Sequence, residues 1–305
     1  MGRTAFLFPG QGSQYSGMGR DLANSFPVAR AVFDEADKAL GFSISEMCFN
    51  GTEDELRLTE NTQPALLTVS IAAFEVLKSR GIKADFVAGH SLGEYSALVA
   101  AGALDFADAV KIVRKRGRYM QEAVPAGAGA MAALLKMPED KLAAVLAEAG
   151  QGEIVTAANF NTPEQVVIAG NTAAVNRAVE LAKAAGAKRA ILLQVSAPFH
   201  CALMKPAQDR LKADLDAIEF RDLQIPLINN WQAREVRTGA EAREGLFHQV
   251  PNPVRWTESM RLLISNGVTQ FIECGAGGVL CGLVRNIDPS VSAVKFGEAA
   301  DIEKI

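Results

Sequence analysis

The seven residues Gly89-His90-Ser91-Leu92-Gly93-Glu94-Tyr95 constrain this chain more than any other stretch. A short apolar run, Phe86-Val87-Ala88, leads into them, and a mostly apolar helical stretch, residues 92–101, leads out. Strand, sharp bend and helix, with a serine at the bend, is the G-x-S-x-G arrangement of a nucleophile elbow. The glycines matter because the bend is too tight for a side chain beside the serine. The helix after it aims backbone N–H groups at negative charge forming near the hydroxyl. Ser91 is therefore a candidate covalent nucleophile; the plainer alternative is a Gly-rich strand–helix turn with an incidental serine.

Around this elbow, strand-like runs alternate with helical ones, which predicts an α/β protein with a mainly parallel sheet. Residues 6–8, 85–89 and 270–274 read as strands, and residues 63–80 and 106–122 as long amphipathic helices. After the small-residue hinge Pro125-Ala126-Gly127-Ala128-Gly129 the pattern changes. Strand 130–135, helix 139–150, strands 154–159 and 165–170, helix 172–185 and strand 188–193 give β-α-β-β-α-β, the ferredoxin-like order. The expectation is a large unit, residues 1–127 and 197–305, interrupted by a small inserted subdomain, residues 128–196. The chain rejoins the large unit through Ser196-Ala197-Pro198-Phe199-His200.

A chain of 305 residues can bury a sizeable core. Its 49% hydrophobic and 22% charged residues are ordinary for a globular protein, and a net charge of -4 gives no reason to expect nucleic acid or an anionic membrane surface. The four cysteines, Cys48, Cys201, Cys274 and Cys281, form no C-x-x-C pair and no metal spacing, so they are expected to be reduced, with no metal site. The run Thr4-Ala5-Phe6-Leu7-Phe8 is too short for the core of a signal peptide and reads as a first strand. Phe6 stands where a myristoylation motif needs Ser or Thr, and no apolar run is long enough to span a membrane. A cytoplasmic location is expected.

A serine hydroxyl needs a base to take its proton. The chain has three histidines, His90, His200 and His248. His90 lies inside the elbow, where its side chain should diverge from that of Ser91. His200 lies where the inserted subdomain rejoins the large one, a junction of the kind that borders clefts, and is the favoured base; a satisfied structural histidine is the alternative.

On a helical wheel of about 100° per residue, Lys111, Arg114, Lys115 and Arg118 share one face of the helix 106–122. That face reads as solvated, although it could attract an acidic partner. Ala109, Ile112, Val113, Tyr119 and Met120 fall opposite, with Arg116 in their midst. A guanidinium there is costly to bury unpaired and needs an anion, either a protein carboxylate or a bound one. A planar fork suits a carboxylate, which favours arginine over lysine.

Pro9-Gly10-Gln11-Gly12-Ser13-Gln14 follows the first strand. It fails as a nucleotide loop: Tyr15 stands where G-x-G-x-x-G needs glycine, and no Lys-Ser or Lys-Thr follows. Its glycines still allow close backbone approach to a ligand, so the N–H groups of Gln11 and Leu92 could form an oxyanion hole. Gly275-Ala276-Gly277-Gly278 reads as a tight turn.

Phe8-Pro9-Gly10-Gln11-Gly12-Ser13-Gln14, Gln63-Pro64-Ala65, Gly89-His90-Ser91-Leu92-Gly93-Glu94, Arg116-Gly117, Pro198-Phe199-His200 and Asn252-Pro253-Val254, in this order, resemble the malonyl-coenzyme A:acyl carrier protein transacylases, the acyltransferase family of fatty acid and polyketide synthesis. The resemblance covers nearly the whole chain. It implies a hydrolase-like α/β large subdomain with a ferredoxin-like insertion, and ping-pong transfer of malonyl from coenzyme A through Ser91 to the phosphopantetheine thiol of acyl carrier protein. It further implies His200 as base, oriented by a backbone carbonyl near Gln249 rather than by an aspartate, and Arg116 as partner of the free malonyl carboxylate. Gln63 and Met120 then belong to the substrate pocket, and Asn159 and Asn161 to its small-subdomain side; strand-end hydrogen bonding is the alternative for the two asparagines. Phe199 stands where many free-standing members carry serine, and a ring there should disfavour a methyl branch on the acyl group. No cofactor is implied beyond the two thioester substrates, and a monomer is expected.

Two competing readings remain. A serine thioesterase or other hydrolase shares the elbow and base, but its usual chain order places an acid and then a late histidine after the serine. No histidine after His200 fits, and Arg116 has no purpose with a neutral acyl group. A non-catalytic carrier-protein docking module would not need Ser91, His200 and Arg116. Within the family, a trans-acting polyketide acyltransferase is the alternative to a fatty acid enzyme.

Overall fold

The computed structural model describes residues 2–195 and 197–305. Among them run ten strands: β1 (Arg3–Phe8), β2 (Phe86–Gly89), β3 (Gly129–Leu135), β4 (Val155–Thr162), β5 (Gln165–Asn171), β6 (Arg189–Leu192), β7 (Leu227–Ile228), β8 (Glu235–Val236), β9 (Val268–Cys274) and β10 (Ser292–Phe296). They form two sheets, β10-β9-β1-β2-β7-β8 and β4-β5-β3-β6.

In the larger sheet every pairing is parallel except β7 with β8. β1 lies at its centre, and its unbroken apolar run suits a strand covered on both faces. Phe6 and Phe8 pack into the core on one side, and Ala5 and Leu7 into the core on the other. The smaller sheet is antiparallel throughout and carries the helices Glu139–Gly150 and Thr172–Ala184. Strand alternation divides its residues between two cores. Ala132 and Leu134 of β3 face its own helices, whereas Met131 and Ala133 join the core of the large sheet.

The outcome is the expected α/β fold with a second, ferredoxin-like layer. The expected last residue of the small subdomain, Ser196, lies outside the described residues. Several bounds differ from expectation. The strand expected at 154–159 runs on to Thr162, because Phe160 and Thr162 continue the pairing with β5 opposite Val166 and Gln165, while its other edge bridges to Val254. Phe160 N–H donates to Val254 O (2.9 Å) and Val254 N–H to Ala158 O (2.8 Å). β7 and β8 have two residues each, too few for an alternation to register in sequence. The helix expected at 63–80 begins earlier, as Thr59–Ser79.

The helix Phe106–Glu122 is capped by Asp105, whose side chain accepts from the N–H groups of Ala107 and Asp108. It packs against Thr59–Ser79 at close range: a Cβ on Gly117 would stand 2.5 Å from the carbonyl oxygen of Thr59. That glycine lets the two helices approach until Gln63 and Arg116 meet. Lys111, Lys115 and Arg118 are exposed on the far face, with Lys115 paired to Asp214 at 2.6 Å, so this face is a solvated one.

Candidate active site

Ser91 stands two residues after the end of β2 and adopts a left-handed backbone, φ 52°. The helix Gly93–Ala100 begins two residues later. The flanking glycines are obligatory on steric grounds, since a Cβ on Gly89 would stand 1.9 Å from the backbone of Gly93, and one on Gly93 1.9 Å from Phe8 O. A side-chain amide bridges the bend. Asn230 Oδ1 accepts from Ser91 N–H and Asn230 Nδ2 donates to Gly89 O, both at 2.7 Å.

His200 also adopts a left-handed backbone, φ 59°. Its Nε2 lies 2.7 Å from Ser91 Oγ, and its Nδ1 3.0 Å from the carbonyl oxygen of Gln249. A carbonyl can only accept, so Nδ1 carries the proton and Nε2 presents its lone pair to the serine hydroxyl. The carbonyl is available because Gln249 ends the helix Gly239–Gln249, where the last C=O groups lack intrahelical donors. Burial, and then the positive charge of Arg116, push the His200 pKa down to about 3, so the ring is neutral at pH 7.

Arg116 is buried, and among the described residues it pairs with no carboxylate. Its hydrogen bonds go to uncharged acceptors: Nη1 to Gln63 Oε1 (2.8 Å), and Nη2 to Gln249 Oε1 (2.9 Å) and Ser91 Oγ (3.2 Å). Its Nε is buried without a protein partner, and the guanidinium carbon stands 5.5 Å from the ring centroid of Tyr95. Burial lowers its pKa, opposed by Tyr95 and Glu94. An arginine keeps its proton regardless. Of the two partners the sequence left open, a structural ion pair is thus absent, and the guanidinium is directed at the serine.

These groups line a cavity of about 120 Å³. That is well below the roughly 300–1,000 Å³ of sites for drug-sized ligands, and suits a short acyl group. Gln11, Gln63, Ser91, Leu92, Arg116, Met120, Phe199 and His200 contribute from the large unit, and Asn159 from β4. Asn159 Oδ1 is buried without a protein partner. Leu92 opens the elbow helix and Gln11 the loop after β1, so both expected oxyanion donors border the cavity.

One expected pocket residue lies elsewhere. Asn161 is not among the lining residues. Its Oδ1 lies 2.9 Å from Nε2 of His90, a ring that packs near Trp256 and itself borders the cavity. The pairing of β4 with β5 shifts register on both sides of this stretch, which breaks the simple alternation that would put Asn159 and Asn161 on one face. Gln249, expected near the carbonyl that orients the base, does not itself line the cavity, but its backbone holds His200 and its side chain holds Arg116 and Ser91, three residues that do.

Sequence reasoning missed an apolar wall of Met131, Val167, Leu193 and Val195 from the small sheet, which only the folded arrangement brings to the cavity. It also missed Asn230 and Glu94. Glu94 carried a readable signal, a lone carboxylate in an otherwise apolar helix, the same kind of signal that marked Arg116. The four cysteines are free and buried, and among the described residues no cluster of His, Cys, Asp and Glu could hold a metal ion. No described helix is long and apolar enough to cross a membrane.

Residues 5–294 match the acyl transferase domain family. The chain is 52% identical over 304 residues to the malonyl CoA-acyl carrier protein transacylase of Bacillus subtilis strain 168, covering 99% of this chain and 96% of the relative. It is 48% identical over 299 residues to the protein of the same name from Escherichia coli K12, covering 98% and 97%. Among solved structures, an acyl carrier protein S-malonyltransferase from Vibrio cholerae superposes with a TM-score of 0.97 at 45% identity, covering 99% of each chain. The malonyl-transacylase of a complex with a type II polyketide synthase acyl carrier protein superposes with a TM-score of 0.96 at 46% identity, covering 99% of this chain and 98% of that one.

Proposed function

The chain belongs to the acyl transferase domain family, and we propose on that premise that Ser91 carries malonyl from coenzyme A to the phosphopantetheine thiol of an acyl carrier protein. The chain is an acyltransferase, a malonyl-CoA:acyl carrier protein transacylase like the relatives it matches end to end. The observation that carries the residue assignment is the contact of Arg116 with both the nucleophile and neutral acceptors only. A buried cation beside the attacking oxygen fits an acyl group with its own carboxylate.

In the first half-reaction Ser91 Oγ attacks the thioester carbonyl and its proton passes to His200 Nε2. The oxyanion is held by the N–H groups of Gln11 and Leu92, each contributing roughly 2.7–4 kcal/mol to the transition state. Collapse expels the coenzyme A thiolate, which takes the proton from His200. Arg116, steadied by Gln63 and Gln249, pairs with the malonyl carboxylate throughout. In the second half-reaction His200 takes the carrier thiol's proton, the thiolate attacks malonyl-Ser91, and the departing serine oxygen recovers the proton. Phe199 and Met120 bound the acyl chain, and Asn159 offers a polar contact from the small sheet. Asn161 acts at one remove, through His90.

The reading needs no cofactor and suits a cytoplasmic enzyme built from a large unit, 1–127 and 197–305, and a small one, 128–196. The deciding experiment is intact-mass analysis with malonyl-, methylmalonyl- and acetyl-CoA, with and without holo acyl carrier protein. Transfer predicts a malonyl adduct on the enzyme that moves to the carrier. Loss of the adduct to water at the same rate without the carrier would favour a hydrolase.

A further inference from the structure

Glu94 is a fully buried carboxylate that the proposed mechanism does not use. It lies one helical turn after Ser91. A single oxygen, Oε2, accepts two hydrogen bonds of 2.9 Å, from Asn230 N–H and from Gln249 Nε2. The other oxygen is buried without a partner. Each residue that Oε2 holds is itself attached to the reacting groups. Asn230 straps the backbone leading into Ser91, from Gly89 O to the Ser91 N–H. Gln249 donates to Ser91 O (3.0 Å), accepts from Arg116 on its side chain and from His200 on its backbone. Burying a carboxylate without a cation at contact distance is costly, and an apolar residue would avoid that cost.

We infer that Glu94 is a positioning residue, whose Oε2 sets nucleophile, base and carboxylate-binding arginine in one register through Asn230 and Gln249. It needs to be an acceptor there rather than a charge. Because a carboxylate only accepts, the Gln249 amide must turn its NH2 toward Glu94 and its oxygen toward Arg116. Desolvation pushes the Glu94 pKa up to about 7, and the acid form still offers one carbonyl-type oxygen in the same place.

This inference rests on the transacylase reading and deepens it. Two substitutions separate acceptor from charge. Glu94→Gln keeps an acceptor at the position of Oε2 and removes the charge. Glu94→Asp keeps the charge and withdraws the acceptor by one methylene, about 1.5 Å. Each variant and the wild type would be given malonyl-CoA and acetyl-CoA with saturating holo acyl carrier protein, with kcat, KM and melting temperature read separately. Glu94→Asp is expected to lower kcat for both substrates by about 10–100-fold, the scale of displaced buried hydrogen bonds. It should also shrink the malonyl-to-acetyl ratio of kcat/KM by at least about threefold as the hold on Arg116 slackens. Glu94→Gln is expected to rescue both to within about threefold. A greater loss in Glu94→Gln overturns the inference, whether or not Glu94→Asp folds. So does a Glu94→Asp enzyme that melts lower but keeps kcat and the ratio. A wild-type chain that transfers no malonyl fails the transacylase reading instead.

Discussion

Arg116 Nη2 lies 3.2 Å from Ser91 Oγ, so the group that would hold the substrate's carboxylate touches the group that attacks its carbonyl. An acyl group bound by both must be short. Ser91→Ala removes the attacking oxygen while leaving the guanidinium and its two glutamine acceptors. Intact-mass analysis after mixing with malonyl-CoA should show no covalent adduct in this variant, against one malonyl per chain in the wild type. An adduct on the alanine enzyme would move the nucleophile elsewhere.

Arg116→Ala should reduce kcat/KM for malonyl-CoA far more than for acetyl-CoA. A bidentate, desolvated contact with a carboxylate is on the order of 3–5 kcal/mol when one partner is removed, which corresponds to about two to nearly four orders of magnitude. Arg116→Lys should recover only a small part, since an ammonium cannot reach Gln63, Gln249 and a carboxylate with one fork. Equal losses for both acyl groups would make Arg116 a packing residue.

Phe199→Ser should narrow the preference for malonyl over methylmalonyl. Phe199 borders the cavity directly before His200, and a methyl branch must share that space. Discrimination of one methyl by an apolar wall is about 1–3 kcal/mol. Competition between the two thioesters reads the ratio, and an unchanged ratio removes the steric argument.

Two buried groups give opposite pH dependences of stability. His200, with its pKa pushed down to about 3, binds a proton more readily unfolded than folded, so its contribution weakens as pH falls from about 6.5 toward 3. Glu94, raised to about 7, binds a proton more readily when folded, so its contribution weakens as pH rises from about 4.5 through 7. The two slopes oppose each other between about 4.5 and 6.5. Melting temperatures across pH 5 to 8 should therefore show Glu94→Gln gaining on the wild type as pH rises. A constant offset between the two would contradict the raised Glu94 pKa. In activity, the neutral His200 predicts that the acid limb of kcat/KM falls well below pH 6.5.

Gly93→Ala should prevent a folded elbow. The added Cβ meets Phe8 O at 1.9 Å, and neither strand nor helix can retreat without breaking the pairing of β1 with β2. Expression with circular dichroism, compared with Gly282→Ala, whose Cβ meets nothing within 4 Å and whose φ is not positive, separates steric exclusion from general sensitivity to glycine replacement.

Legibility in the sequence followed how local the information was. The elbow declared itself because Gly89, Ser91 and Gly93 impose their geometry within five residues. Arg116 declared itself by contradicting the periodicity of its own helix. The β-α-β-β-α-β order was readable because each element is long enough to show a period. By contrast, Asn230 follows a strand of two residues, and its importance arises from reaching back across the sheet to Gly89 and Ser91. The apolar wall of Met131, Val167, Leu193 and Val195 comes from strand faces that only the docking of one sheet on the other assigns to the cavity. Asn161 was misplaced for a related reason: a register shift in β4 is set by its partner strand, and no pattern in its own sequence announces it.

The left-handed backbone shared by Ser91 and His200 narrows the chemistry open to this scaffold. A β-branched side chain is a poor occupant of that conformation. Threonine, the obvious secondary alcohol, is therefore excluded at position 91 by the main chain before its reactivity is ever consulted. A thiol on an unbranched carbon meets no such barrier. Redesign toward a different acyl-enzyme bond is thus channelled to Ser91→Cys: one bend admits the primary alcohol and the thiol and turns away the secondary alcohol.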